Sequence, residues 1–466
     1  MLRHLRKAYE ASPDSFRRLA RFLPARVVYG ASYSAARELL GDIGREAQFA
    51  MLRETCRYAY EHCPFWRHHF EQDGFTPYDF DFEAFQDLPT ITSDTLKEHH
   101  AEMVSDEATS LNSYLTSTGG TGRRPTPIRL SNKSFGREWA FMHYLWNHVS
   151  YKRNDRKLVL RGQDLGNRPY AWNYVYNDLR LNLFCYQDAP LSDILSQIRH
   201  FRPRFIHGYP SAVVAFMWYL LEHGIESNWP LKGLLLGSEE LKEQDKRELS
   251  KYFGAPVYSW YGQTEKVCLA GFCEHRDSYH IMPGYSYVEV LDHEGNPANE
   301  GEIVGTSFLN ESMPLIRYRT GDYARLSLHG CICGWNAPVF EEVRGRWGED
   351  FVIDNGKGLI STTALNLHGE LPALLRKYQL CQNAIGHLEV RYWPYPSAPA
   401  NVGRMIVDQL KGKVRHCKVE STEVTATGIE KTARGKEPML VQSPELVRIV
   451  EELRTQRSTQ TSGRET

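Results

Sequence analysis

The sequence predicts an α/β protein: a large N-terminal domain with mostly parallel sheets, followed by a small α+β domain. Between residues 157 and 260, short apolar runs alternate with amphipathic helical segments, which is typical of βαβ units and a parallel sheet. Beyond Tyr285 the runs become shorter and alternate apolar with polar residues, which favours a small antiparallel, barrel-like section. Before both, residues 1–110 carry helical periodicity and predict a helical lead-in.

The elements of the parallel part can be placed in order. A helix is predicted over residues 135–149, strands over 157–161, 204–208, 231–236 and 256–260, and helices over 189–200, 211–222 and from 242 onwards. Ligands of such sheets bind at the carboxyl ends of the strands. Three loops fall there, at residues 208–211, 237–240 and 261–265.

The last part of the chain predicts a separate unit. A charged, glycine-bearing joint at residues 343–350 precedes a predicted helix at 364–380, strands at 387–393 and 422–427, and a final helix at 444–454. We therefore expect a large domain at residues 1–345, a small C-terminal domain at 346–446, and a final helix with a disordered tail at 447–466.

Composition excludes several classes of protein. The 466 residues include 56 basic and 57 acidic side chains, so no global field exists to hold nucleic acid or an anionic membrane. No apolar run has the length of a signal peptide or a membrane span, and the nine cysteines are an odd number, which argues against a disulfide framework. We expect a cytoplasmic protein. Its basic, amphipathic N-terminus either touches a membrane or packs on its own domain.

A stretch rich in glycine and hydroxyl side chains at residues 115–127 suits a loop that wraps phosphate. Glycines let the backbone approach a ligand, and hydroxyl groups donate to phosphate oxygens. Arginines follow the last glycine where a Walker A loop has lysine, which argues against a P-loop NTPase. An ordinary solvated loop is the alternative. The residues concerned are Thr116, Ser117, Thr118, Gly119, Gly120, Thr121 and Gly122.

Five motifs in order resemble the core motifs of the adenylate-forming (AMP-binding) superfamily. They are residues 117–122, Tyr-Gly-Gln-Thr-Glu at 261–265, Tyr-Arg-Thr-Gly-Asp at 318–322, Gly-Arg at 345–346 and Arg-Gly-Lys at 434–436. Residues 63–66, 208–211, 331–334 and 378–382 are similar to the phenylacetate–CoA ligase branch, which includes the CapK-like proteins. The resemblance extends from about residue 50 to 445.

This resemblance implies an ATP-dependent, Mg²⁺-using ligase. Such enzymes activate a carboxylic acid to an acyl-adenylate with release of pyrophosphate, and then transfer the acyl group, here with CoA as the expected acceptor. An amine or sugar acceptor in polysaccharide or natural-product assembly is a second hypothesis, and a non-catalytic homologue that binds nucleotide or a partner is a third. The sequence does not fix the oligomeric state, with which a dimer is compatible.

The resemblance also implies roles for individual residues. Residues 117–122 should cradle phosphates, Thr264 should donate to the α-phosphate and Glu265 should hold Mg²⁺. The other nucleotide contacts expected are Tyr261 and Gly262 at the adenine, the loop Gly237, Ser238 and Glu239 at its edge, Asp322 at the ribose, and Arg346 at the nucleotide or the joint.

Charge stabilisation during adenylation is expected from Lys436, which a swing of the small domain would then remove so that the acceptor can enter. Tyr209, Trp139 and Lys266 are candidates for contact with the acid.

A structural zinc site is a further expectation. Cys331 and Cys333 offer two thiolates, and Cys273 with His280 supplies a second pair, a donor set that suits tetrahedral zinc. Some relatives in this branch hold a structural metal at matching positions. His275 or Cys268 could replace one of these ligands, and free buried thiols are the alternative.

Overall fold

The structure is a computed structural model, which describes residues 12–41, 43–117, 126–161, 165–238, 241, 243–292, 294–335, 337–344, 351–354, 358–362, 364–414, 416–425, 428–430, 439–450 and 452–453. Within these residues, none of the helices combines the length and the apolar character needed to cross a membrane.

Short helices dominate the first hundred described residues, as predicted. They are α1 (Asp14–Leu19), α2 (Ala25–Tyr29), α3 (Ala31–Ala35), α4 (Gly44–His62), α5 (Pro64–Gln72), α6 (Phe82–Asp87), α7 (Ser93–Glu98) and α8 (His100–Met103), with 3₁₀ turns at Ala20–Phe22 and Ala36–Leu39. The antiparallel hairpin β1 (Ser113–Ser117) and β2 (Pro127–Ser131) follows, and then α9 (Asn132–Asn147). The hairpin therefore flanks the glycine-rich stretch.

A single sheet of twelve strands forms the centre of the molecule. Its strands are β3 (Lys157–Leu160), β4 (Tyr170–Asn173), β5 (Asp178–Leu181), β6 (Phe205–Gly208), β7 (Gly233–Gly237), β8 (Val257–Gly262), β9 (Leu269–Gly271), β10 (Tyr279–Ile281), β11 (Ser286–Leu291), β12 (Glu300–Ser307), β13 (Tyr318–Leu326) and β14 (Val339–Arg344). Their spatial order is β11-β12-β13-β14-β10-β9-β8-β7-β6-β3-β5-β4.

The α/β fold class is confirmed, and its parallel part lies where the sequence predicts it. Strands β3, β5, β6, β7 and β8 run parallel, with helices α10 (Leu191–Phe201), α11 (Pro210–Glu222) and α12 (Glu243–Phe253) between them and a 3₁₀ turn at Tyr186–Asp188. Every residue of β6 and β7 is buried, which explains why these strands read as continuous apolar runs.

The predicted barrel-like section is not a closed barrel. In the described residues, strands β8 to β14 pair antiparallel and continue the large sheet, with β11 at its edge paired only to β12. Alternation of apolar and polar residues identifies strands that have one buried face, but it does not reveal whether the first and last strands meet.

The C-terminal residues form two smaller sheets. One is the hairpin β15 (Phe351–Ile353) and β16 (Leu359–Ser361), and the other has the order β19-β18-β17-β20. The second sheet comprises β17 (Leu375–Ala384), β18 (His387–Pro394), β19 (Lys418–Glu423) and β20 (Leu440–Gln442), with helix α13 (Val402–Lys411) and a 3₁₀ turn at Leu371–Leu374. Residues 444–450 are helical, as predicted, and Leu446 and Val450 pack into the core of the parallel strands.

Two predictions in this part were wrong. The helix expected at residues 364–380 is largely strand β17, which lies between β18 and β20 and is buried, so its apolar run lacks the alternation of a half-exposed strand. Helix α13 was not predicted, although Val402, Ile406 and Leu410 recur at helical spacing and are all buried.

Candidate functional site

The strands β3, β6, β7 and β8 end at one edge of the sheet, and close packing at this edge requires glycine. A Cβ atom on Gly208 would lie 2.5 Å from the carbonyl oxygen of Leu160, and one on Gly237 would lie 2.3 Å from the Trp260 ring. Both distances are far shorter than a van der Waals contact, so a side chain at either position would push neighbouring strands apart. The glycines of the predicted ligand loops thus have a packing reason as well as a functional one.

At the end of β8, Tyr261 meets Asp322 of β13. The Tyr261 hydroxyl donates to Asp322 Oδ2 at 2.8 Å and accepts from Gln263 Nε2 at 3.0 Å. Gln263 is held in turn, because its Oε1 accepts from the backbone N–H of Cys268 at 3.2 Å. Burial, together with the nearby Asp322, raises the pKa of Tyr261 well above its usual value, so the phenol remains a neutral donor.

The turn after β8 places a second carboxylate near this pair. Thr264 and Glu265 lie in a turn that is closed by a hydrogen bond from the N–H of Lys266 to the carbonyl of Gln263, at 3.2 Å. Glu265 is buried, and its Oε1 accepts from the Tyr318 hydroxyl at 3.3 Å. Two motifs that are separated in sequence, 261–265 and 318–322, therefore meet through side-chain hydrogen bonds.

Lys266 is buried and pairs with a carboxylate from another element. It has a left-handed backbone with φ of 58°, and its Nζ lies 2.5 Å from Glu138 Oε2 of α9. The contact with the acid that was predicted for Lys266 stays a prediction. The Glu138 carboxylate, which the sequence gave no reason to select, already neutralises its charge.

A second group of side chains at the strand ends was not predicted from the sequence. Arg161, directly after β3, donates to Ser238 Oγ at 3.2 Å and to His207 Nε2 at 3.4 Å, and lies over the Tyr209 ring at 5.0 Å. His207 is buried and bonds through Nδ1 to the carbonyl of Leu235 at 2.9 Å. Burial, helped by Arg161, lowers the pKa of His207 well below its usual value, so the ring is neutral and accepts from Arg161.

Tyr209 also lines a cleft between the parallel strands and the C-terminal residues. Ala212 and Asp188 line one side, and Asp354 and His416 line the other. His416 Nε2 lies 2.8 Å from Asp188 Oδ1, across this cleft. An apolar body with a few polar groups at its walls is the usual form of a pocket for a small organic ligand.

Trp139 is placed differently from Tyr209. Its ring packs among aromatic side chains, 5.6 Å from Tyr29, 6.0 Å from Tyr176 and 6.1 Å from Trp146 between ring centroids. These contacts give Trp139 a packing role between α9 and the N-terminal helices. The prediction that it also contacts the acid is untested by them.

Several predicted residues lie outside the described part of the chain. Thr116 and Ser117 end strand β1 and pair with Ile128 and Pro127. The remaining predicted residues fall between described segments, so their roles stay predictions: Thr118, Gly119, Gly120, Thr121, Gly122, Glu239, Arg346 and Lys436.

The four residues expected to bind zinc converge. One ligand atom from each of Cys273, His280, Cys331 and Cys333 lies within 4.8 Å of the others. The sulfur atoms of Cys273 and Cys331 are 3.7 Å apart, and Cys333 Sγ lies 3.3 Å from His280 Nε2.

The orientation of His280 fits metal binding. Its Nδ1 bonds to the carbonyl of Ser278 at 3.1 Å, which leaves Nε2 directed toward the thiols. Burial lowers the pKa of His280 and favours the neutral ring that a metal requires. Neither substitute considered from the sequence, His275 or Cys268, belongs to this cluster, which is the metal-type cluster found among the described residues.

No family model matches the chain, but individual proteins do. A phenylacetate-coenzyme A ligase of Thermus thermophilus is 26% identical over 377 residues, which covers 74% of this chain and 79% of the relative. The Escherichia coli phenylacetate-coenzyme A ligase is 24% identical over 357 residues, covering 73% and 80%. The resemblance to the phenylacetate–CoA ligases is confirmed. Protein CapK of Staphylococcus aureus is also similar, at 20% identity over 287 residues, covering 60% of this chain and 62% of CapK.

Solved structures support the same fold. A 2-hydroxyisobutyryl-CoA ligase in complex with 2-HIB-AMP and CoA, in its thioesterification state, gives a TM-score of 0.57 at 18% identity, covering 89% of this chain and 94% of that one. The same ligase in the postadenylation state gives 0.54, covering 88% and 91%. At this identity the likeness establishes the fold, which is that of an adenylate-forming ligase.

Proposed function

We propose that this protein is an acid–CoA ligase, which activates a carboxylic acid with ATP to an acyl-adenylate and transfers the acyl group to CoA. The observation that carries the proposal is the contact between the 261–265 and 318–322 motifs, through the Tyr261–Asp322 and Tyr318–Glu265 hydrogen bonds. It brings together, at the carboxyl ends of parallel strands, the residues that the resemblance assigns to one nucleotide. The similarity to phenylacetate-coenzyme A ligases supports the same reaction.

The nucleotide is assigned to these residues by their chemistry. Asp322 offers a carboxylate to the ribose hydroxyls, and Tyr261 fixes its orientation by donating to Oδ2. Tyr261 also presents its ring beside the adenine position, at the end of the loop formed by Gly237 and Ser238. Thr264 donates to the α-phosphate, and residues 116–122 surround the remaining phosphates.

Glu265 is the residue proposed to hold Mg²⁺. A buried carboxylate fits a hard cation that prefers oxygen ligands. The ion supplies charge neutralisation of the phosphate oxygens when it is bound. The chain's own contribution is to hold the carboxylate in place, through the Tyr318 hydroxyl.

Lys436 and Arg346 complete the proposal. Lys436 would stabilise negative charge on the acid and the α-phosphate during adenylation. A movement of the C-terminal residues 346–446 about the joint at 346–350 would then remove Lys436 and admit the acceptor. The cleft lined by Tyr209 supports an acid-binding position at the start of α11, with Lys266 and Trp139 nearby on the chain's assignment.

The cysteine and histidine cluster fits a structural zinc ion. Three sulfur donors and one imidazole nitrogen form a complete tetrahedral set, with no position left for a substrate. A site of this kind contributes to folding stability, and no chemical step is assigned to it.

The similarity to CapK supports a second candidate acceptor, because the name of that relative is linked to no CoA-dependent step. In this version the same adenylation is followed by transfer to an amine or a sugar hydroxyl. The two candidates differ in the second half-reaction alone.

The decisive experiment is ATP–pyrophosphate exchange with a panel of aryl, fatty and amino acids. Exchange with one class of acid that is lost in Asp322→Ala supports adenylation. AMP release that requires CoA supports the first acceptor, and release stimulated by an amino sugar supports the second. Absence of exchange with every acid, in protein that binds ATP, contradicts the proposed function.

A further inference from the structure

The N-terminal helical segment, residues 12–29, exposes an unusual concentration of large apolar side chains. Phe16 is 67% exposed, Leu19 60%, Phe22 68% and Val27 59%, and Leu23 is exposed as well. Five of the exposed large apolar residues of the described chain therefore fall within twelve positions. Scattered apolar residues on a surface are ordinary, but a contiguous group marks an interaction site.

These side chains share one face. Helix α1 continues directly into the 3₁₀ turn at Ala20–Phe22, and residues 16, 19 and 22 recur every three positions along this helical run. Ala20, which lies between them, is buried. One side of the run thus packs on the protein, while the side that bears Phe16, Leu19 and Phe22 is directed outward.

The charge of the same region is strongly positive. Residues 1–29 include seven arginines and lysines but two acidic residues, Glu10 and Asp14, which gives a formal charge of +5 in a chain whose total is −1. The basic residues are Arg3, Arg6, Lys7, Arg17, Arg18, Arg21 and Arg26. Arg21 and Arg26 are exposed beside the apolar side chains.

The segment is fixed to the rest of the protein from its other side. Arg153 Nη2 donates to the carbonyl of Leu23 at 3.1 Å, and the Arg18 guanidinium lies 5.9 Å from the Tyr174 ring. Tyr29 is buried against Trp139 and Tyr176. The apolar face is therefore presented by a docked element that already has its own intramolecular contacts.

From these observations we propose that residues 12–29 bind the surface of an anionic lipid bilayer. Phenylalanine and leucine side chains on one face of a basic helical segment enter the boundary between head groups and acyl chains, while the arginines lie at the level of the lipid phosphates. Binding would be peripheral and reversible.

Charge favours a membrane over a second copy of the chain. A twofold contact through this face would place two segments of the same positive charge against each other, at a cost in repulsion. An anionic surface instead gains from every arginine. The residues involved take no part in the proposed adenylation, so the inference stands or falls independently of it.

The test uses the full chain and sedimentation with two kinds of vesicle, phosphatidylcholine alone and phosphatidylcholine with phosphatidylglycerol. We expect binding to the anionic vesicles that weakens as salt is raised. The triple variant F16S/L19S/F22S should lower the bound fraction at least tenfold, and R21E/R26E should lower it in the same direction. Leu328→Ser, at an apolar residue that is 75% exposed elsewhere, is the matched control and should bind as the wild type does.

Three results would overturn the inference. They are no sedimentation of the wild type with anionic vesicles, equal binding by the triple variant and the wild type, and self-association of the wild type, by light scattering, that the triple variant abolishes without vesicles. Far-ultraviolet circular dichroism and thermal unfolding of each variant separate loss of binding from loss of folding.

Discussion

Two clusters of functional side chains connect the same two stretches of chain but have opposite chemistry. The first joins residues 261–265 to 318–322 through hydrogen bonds between oxygen-bearing side chains, with the Tyr261–Asp322 contact at 2.8 Å. The second joins residues 273–280 to 331–333 through three thiols and an imidazole. About ten residues further along both stretches, hard donors have been replaced by soft ones. The strands that place a substrate site also bring together the donors of a structural metal.

The comparison teaches how each cluster depends on its ligand. Side chains in the first already satisfy one another by hydrogen bonds, so this region is folded before a nucleotide arrives. In the second, thiols and an imidazole converge with little hydrogen bonding of their own, and a metal would supply the missing attraction. Loss of a ligand should therefore affect activity at the first cluster and stability at the second.

Metal removal should have the largest effect on stability. If zinc is present at about 1,000 times its dissociation constant, a chelator should lower the free energy of unfolding by about 4 kcal/mol. Guanidinium unfolding with and without chelator, together with metal analysis, measures this. Cys331→Ser should lose both the metal and the sensitivity to chelator, whereas Cys417→Ser, a buried thiol outside the cluster, should keep both. Purified protein without bound metal would contradict this half of the comparison.

Lys436→Ala should have the largest effect on activity. Loss of one charge-stabilising group typically lowers the rate of the chemical step by about 10²–10³-fold, since the charge developing in the transition state is no longer neutralised. The rate of ATP–pyrophosphate exchange at saturating ATP and acid measures this. Lys411→Ala, at an exposed lysine in the last turn of α13, is the matched control. Equal exchange rates in the two variants would remove Lys436 from the proposed mechanism.

Tyr261→Phe should have an intermediate effect that is confined to the nucleotide. The change removes the hydroxyl that orients Asp322, and a hydrogen bond to a charged group contributes about 1.5–3 kcal/mol. We expect the KM for ATP to rise roughly tenfold, at the lower end of this range, because Asp322 itself remains. Tyr258→Phe, on the same strand, controls for loss of a phenol. An unchanged KM for ATP, with altered KM for the acid, would relocate the nucleotide.

The smallest effect expected is on the pH dependence of stability near the first cluster. Burial lowers the pKa of His143 to about 3 and that of His207 well below its usual value, which is about 6.5 in the unfolded chain. Below pH 6.5 the unfolded state therefore binds protons that the native state does not bind. Stability should be constant above this pH and fall by about 1.4 kcal/mol per pH unit for each histidine as the pH is lowered.

Urea unfolding of the wild type and His143→Gln at several pH values between 4.5 and 8 checks this expectation. The variant should lose the contribution of one histidine, so its stability should fall less steeply below pH 6.5. A slope equal to that of the wild type would show that His143 titrates alike in both states.

The sequence determined the elements of the parallel sheet and the residues of the conserved-type motifs. Apolar runs at residues 157–161, 204–208, 231–236 and 256–260 correspond to β3, β6, β7 and β8, because buried parallel strands carry a signal that depends on local composition. It determined all four members of the zinc-type cluster for a related reason, since cysteine and histidine are rare enough to be paired by type. It also indicated a basic, amphipathic N-terminus.

The tertiary structure alone decided which side chains meet. Arg161 and His207 appear in sequence as an ordinary arginine after a strand and a histidine within one, and their contact comes from the register between β3 and β6. Glu138 acquires significance because α9 places it against Lys266, 128 positions away. The open antiparallel sheet, strand β17 in place of a helix and the outward direction of Phe16, Leu19 and Phe22 were likewise settled by packing. Composition and periodicity report what a segment can bury, but which partner buries it depends on contacts between residues that are distant in the chain.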